Sequence, residues 1–131
     1  MTGDLRPARR GAGFTLIELL VTMAIVALLL ALAVPRYFGR VEMAKETVLR
    51  ENLHQMREAI DKFYGDNARY PASLQELVAR RYLRRIPPDP ITDSNSGWVV
   101  VAPTGNKQGS VFDVRSGAPG KARDGTLYST W

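Results

Sequence analysis

At 131 residues the chain is large enough for one domain with a single modest core. It contains no cysteine, which excludes disulfide staples and thiolate chemistry. The net charge of +5 divides into +2 over residues 1–13 (Arg6, Arg9 and Arg10 against Asp4) and +3 over the remainder, too small a surplus to argue for nucleic-acid binding.

Hydrophobicity is concentrated near the N-terminus. The 21 residues from Phe14 to Val34 carry Glu18 as their one charge. As a helix they rise roughly 31 Å, which matches the ~30 Å hydrocarbon layer of a bilayer, so the segment reads as transmembrane. The arginines ahead of it place the N-terminus in the cytoplasm and residues beyond about Arg36 outside. A secretory signal would be cut behind small residues after its apolar run. Here the pattern continues past Ala31 and Ala33 into Pro35, Arg36, Tyr37 and Phe38, so composition alone supports an uncleaved anchor.

The run Gly13-Phe14-Thr15-Leu16-Ile17-Glu18 alters that reading, because it resembles the cleavage and methylation motif of type IV pilins and type II secretion pseudopilins. The resemblance implies that residues 1–13 are a leader. A membrane-embedded prepilin peptidase removes it after Gly13, and the new Phe14 amine is then N-methylated. Glycine suits such a position, since a backbone without Cβ lies close in a protease cleft. Glu18 is the costly residue: a charge at the centre of a membrane helix costs roughly 2.5–3.5 kcal/mol, and less near an interface. Either it snorkels to the headgroups, or it neutralises the Phe14 amine of a neighbouring subunit and so sets the axial register of an assembly.

Pro35 ends the fully apolar stretch and removes the donor to Ala31, and Gly39 weakens the same region. The helix is therefore expected to be weakest over Ala31–Gly39, where packing in a filament stretches it. Beyond that point Tyr37, Val41, Ala44 and Val48, then Leu49, Leu53, Met56, Ile60 and Phe63, recur at helical spacing and predict an amphipathic extension over 36–64. Gly65, Asp66 and Asn67 should end it near Tyr64. His54 has no companion at a metal-like spacing and reads as a polar-face residue.

Ser73-Leu74-Gln75-Glu76 is a capping box, predicting a short helix from Leu74 to Tyr82 that buries Leu74, Leu77 and Val78. The basic run at Arg80, Arg81, Arg84 and Arg85 reads as a solvated helix end, with phosphate contact as the competing reading. Pro87, Pro88 and Pro90 impose an extended connection. Trp98–Ala102 and Ser110–Arg115 form a predicted antiparallel hairpin around the turn-rich PTGNKQG. The tail from Ser116 is loop-like and needs tethering, for which Leu127, Tyr128 and Trp131 are available to dock on the sheet.

This second half, through Tyr70-Pro71, Tyr82-Leu83, Pro87-Pro88-Asp89-Pro90 and Phe112–Ala118, looks like the G-type major pseudopilin of type II secretion. The expected fold is α+β: a long N-terminal helix packed on a small antiparallel sheet. The implied organisation is a leader (1–13), a transmembrane and polymerisation helix (14–35), its amphipathic extension (36–64) and a periplasmic module (65–131). The implied function is that of a structural, non-enzymatic pseudopilus subunit anchored in the inner membrane. Its implied partners are copies of itself, other pseudopilins or minor pilins, the prepilin peptidase and an inner-membrane assembly platform. The alternative is a major or minor pilin for adhesion, motility or DNA uptake. In the G-type family the C-terminal loop commonly holds calcium, which here implicates Asp124 with carbonyls near Ser116 or Ser129. Pro119 stands where that family often has an acid, and calcium favours six to eight oxygens; the competing reading is a loop tethered by its aromatics.

Overall fold

The computed structural model describes residues 3 and 13–131; the leader arginines Arg6, Arg9 and Arg10 lie outside the described residues. The chain divides into two compact units between Phe38 and Gly39. Helix α1 covers Leu16–Asn67 and includes Pro35, so the segment expected to be weakest remains helical. Proline there removes one donor and crowds the carbonyl four residues back, while the neighbouring turns keep their bonds. In the first unit Leu20, Leu28, Leu30 and Leu32 are all more than half exposed, giving a helix that is apolar all round.

In the second unit α1 buries the stripe Leu49, Leu53, Met56, Ile60 and Phe63, with Ala59 beside it. The earlier part of the same periodicity behaves differently. Tyr37, Ala44 and Val48 are exposed and Val41 is half-buried; the buried stripe begins at Leu49.

Helix α1 also runs past Gly65, ending where Ala68 takes a left-handed φ of 56° and its amide donates to the Tyr64 carbonyl at 2.8 Å. Tyr82 holds this last turn. Its hydroxyl donates to Asp66 Oδ2 at 2.6 Å and accepts from Asn67 Nδ2 at 3.3 Å. Its ring meets Phe63 edge-on, with centroids 5.3 Å apart. A single glycine costs a helix about 1 kcal/mol, which these contacts offset.

Helix α2 covers Leu74–Ala79 and starts at the Ser73 cap, whose Oγ accepts from the Glu76 amide at 3.3 Å. The Glu76 carboxylate reaches back to the Ala72 amide at 3.0 Å and binds Arg69 Nη2 at 2.6 Å. Leu74 and Leu77 are buried, and Val78 only half so. The helix stops three residues short of Tyr82. Arg81 is left-handed (φ 65°), and the amides of Arg81 and Tyr82 return to the carbonyls of Val78 (3.1 Å) and Leu77 (2.8 Å). This is a Schellman ending, made here with arginine at the position where glycine is usual.

Strands β1 (Val99–Val101) and β2 (Asp113–Arg115) pair antiparallel, with Val100 opposite Val114. Both are shorter than the alternation predicts, for two tertiary reasons. Trp98 turns inward and its indole Nε1 donates to the Pro87 carbonyl at 2.8 Å. The amides of Ser110 and Val111 both donate to the Pro71 carbonyl at 3.0 Å, drawing that stretch away from β1. A buried polar staple joins the proline-rich connection to the end of β2: Ser116 Oγ donates to Asp89 Oδ2 at 2.6 Å, and the Ile91 amide to Asp89 Oδ1 at 2.8 Å.

The Glu76 carboxyl is held below the usual carboxylate range, first by Arg69 and next by the Ala72 amide. A depressed carboxyl contributes stability above its unfolded pKa and loses it as pH falls through the lower folded value. Thermal melts from neutral to acid pH should therefore show Glu76→Gln less stable than wild type at neutral pH. The two curves should converge in acid; a constant gap would contradict the assignment.

Candidate functional site

Gly13, Phe14 and Thr15 lead into α1, with Phe14 86% exposed. At the helix start Thr15 Oγ1 accepts from the Glu18 amide at 3.2 Å, and Glu18 Oε2 accepts from the Thr15 amide at 3.4 Å. This is a reciprocal capping box, in which two otherwise unpaired amides of the first turn are satisfied. Thr22 Oγ1 adds a bond to the Glu18 carbonyl at 2.7 Å.

Both partners expected for Glu18, the headgroups and a neighbour's Phe14 amine, lie outside its own chain. In the fold its own helix start supplies one. The signal was present, since Thr15-Leu16-Ile17-Glu18 has the same spacing as Ser73–Glu76. Beyond it the exposed apolar surface of Leu16–Phe38 offers a long face to lipid or to other helices.

The second candidate region is the C-terminal loop. Asp124 Oδ1 accepts from the Thr126 amide (3.0 Å) and hydroxyl (2.6 Å), and Oδ2 lies 3.6 Å from Arg50 Nη2. The Thr126 hydroxyl, then its amide, hold this carboxyl below its ordinary range, and Arg50 adds to the effect. The Ser116 hydroxyl is bonded to buried Asp89. Among the described residues no group of three or more histidine, aspartate or glutamate side chains is gathered for a metal. This donor set does not fit a calcium ion, because one carboxylate beside the Arg50 cation is gathered where calcium takes six to eight oxygens.

Of the three tethering residues, Tyr128 is buried and Trp131 packs on it edge-on at 5.3 Å, whereas Leu127 points outward. The loop reaches α1 as well as the sheet: Glu46 Oε1 accepts from Tyr128 OH at 3.1 Å. Arg80, Arg81, Arg84 and Arg85 are exposed, and Arg80 Nε lies 3.9 Å from Glu76. His54 is exposed, 4.0 Å from Glu58. Asp113 is a strand residue whose Oδ1 accepts from Arg57 Nε at 2.8 Å.

A capped, predominantly apolar helix followed by a small α+β module defines a pilin-like protein. Residues 8–34 match the family model described as the prokaryotic N-terminal methylation motif. The chain is 34% identical over 98 residues to the type II secretion system core protein G of Pseudomonas aeruginosa, covering 63% of this chain and 69% of that one. It is 32% identical over 122 residues to the protein of the same name from Klebsiella pneumoniae, covering 81% and 85%. For that of Klebsiella michiganensis it is 29% over 129 residues, covering 86% and 89%. No solved structure matches. The chain belongs to the family of the type II secretion system core protein G. With its one long apolar N-terminal helix, it fits a subunit anchored in the inner membrane.

Thr15→Ala removes the hydroxyl half of the cap, a loss of about 1 kcal/mol at the first turn. Amide exchange at Glu18 in detergent should accelerate roughly five-fold, and Thr15→Ser should restore it. Unchanged protection would show that the cap contributes nothing.

Proposed function

We propose that the protein is a structural subunit of a type II secretion pseudopilus, without a catalytic role, that polymerises through the N-terminal part of α1. The observation that carries this reading is the capped helix over Leu16–Phe38, whose large apolar side chains are exposed. Membership of the core protein G family supplies the machine. On this reading the prepilin peptidase cuts between Gly13 and Phe14, and Phe14 receives the methyl group. The N-terminus faces the cytoplasm, as the leader arginines favour, and Gly39–Trp131 faces the periplasm. Copies of this chain, other pseudopilins and an inner-membrane assembly platform are the partners.

Glu18 then has two uses. Before assembly its carboxylate caps its own helix. After cleavage the Phe14 amine of a neighbour, approaching in a dry and low-dielectric bundle, offers a charged donor and a stronger interaction. Pro35, with one hydrogen bond missing, is where the helix yields as subunits are drawn together.

Mass spectrometry of protein from cells carrying the matching peptidase should find a 118-residue chain beginning at methylated Phe14. A chain beginning at Met1, or cut after Ala33, would overturn the processing assignment. Glu18→Ala and Glu18→Lys should be inserted and processed, yet fail to give filaments that shear from overproducing cells. Normal filaments from Glu18→Lys would remove Glu18 from the register.

A further inference from the structure

The C-terminal loop is joined to α1 by two opposite charges one helical turn apart, Glu46 and Arg50. Glu46 Oε1 accepts from the Arg123 amide at 2.8 Å and from Tyr128 OH at 3.1 Å. Arg123 Nη1 donates to the Gly39 carbonyl at 3.1 Å, which extends the attachment down the helix. Arg50 holds the other end of the loop. Its guanidinium carbon lies 4.1 Å from the centroid of the Trp131 ring, while its Nη2 is 3.6 Å from Asp124 Oδ2.

These contacts close into a ring. Trp131 Nε1 donates to Thr126 Oγ1 at 2.8 Å, and Thr126 Oγ1 donates to Asp124 Oδ1 at 2.6 Å. Asp124 faces Arg50, and Arg50 covers the indole from which the ring began. A guanidinium suits this place better than an ammonium, since its flat, weakly hydrated face stacks on an aromatic ring while its edge meets a carboxylate.

We propose that Arg50 is the resident cation of the C-terminal loop, and that the Arg50–Asp124–Thr126–Trp131 ring, with the Glu46 clip, holds the loop on α1 without a divalent metal. A calcium ion at Asp124 would sit beside the positive Arg50, whose Nη2 is 3.6 Å from Oδ2. Within 116–131 Asp124 is the one acidic side chain, beside Lys121 and Arg123, so the loop brings few of the oxygens that calcium takes. Pro119 cannot supply the side-chain oxygen that an acid at that position would offer. The loop therefore replaces an external ion by a side chain of the helix on which it docks.

The test is thermal unfolding of the full chain in detergent, which is independent of filament assembly. Wild type should melt at the same temperature in millimolar calcium chloride and in excess chelator. Arg50→Ala and Trp131→Ala should each lower the midpoint by roughly 2–6 °C. The double variant should fall by clearly less than the sum, because both changes break one ring. Arg50→Lys should recover only part of the loss. A calcium-dependent rise in the wild-type midpoint that Asp124→Ala abolishes would overturn the proposal. Strict additivity of Arg50→Ala and Trp131→Ala would do so as well.

Discussion

The module from Gly39 onward depends on the stripe of Leu49, Leu53, Met56, Ile60 and Phe63 along α1. These side chains are essentially inaccessible to solvent, and the rest of the core, from Leu77 to Val111 and Val114, is assembled against them. Truncating one such side chain typically costs about 2–5 kcal/mol, a large fraction of what a domain this small can hold. The two three-residue strands could not persist alone, since an isolated hairpin is marginal in water. They exist because Val111 and Val114 bury against the helix.

Polar contacts then decide where each loop lies against that core. Arg57 binds Asp113 Oδ1 at 2.8 Å and the Val114 carbonyl at 3.0 Å, fixing β2 to α1. Asp89 and Ser116 tie the proline-rich connection to the end of β2, and Glu46 and Arg50 secure the tail. Among the described residues no buried side-chain nitrogen or oxygen is left without a partner. A cysteine-free module with a thin core thus spreads its anchoring over several charge-assisted hydrogen bonds, each stronger than a neutral one.

The N-terminal part of α1 is governed by the opposite rule. Its large apolar side chains are exposed, and the helix is held by backbone bonds and the Thr15–Glu18 cap. In a bilayer a helix satisfies its own backbone, so it needs no tertiary core to persist. The same property leaves its whole surface available to neighbouring helices.

Much of this was legible in the residues. The apolar run, the Gly13–Glu18 motif, the buried stripe at spacings of three and four, and the Ser73 cap are local patterns, and local patterns are set by helix geometry and by hydration. What the tertiary structure decided lay wherever a distant group competed with a local preference. Tyr82 carried α1 past Gly65, the Pro71 carbonyl took Ser110 and Val111 from the hairpin, and within the module Ala44 and Val48 stayed exposed. Asp124 illustrates the division best. The family resemblance implicated it as a metal ligand; Arg50 lies 74 positions away along the chain, and only folding brings that guanidinium to the carboxylate, because a helix and a loop meet where the core between them closes.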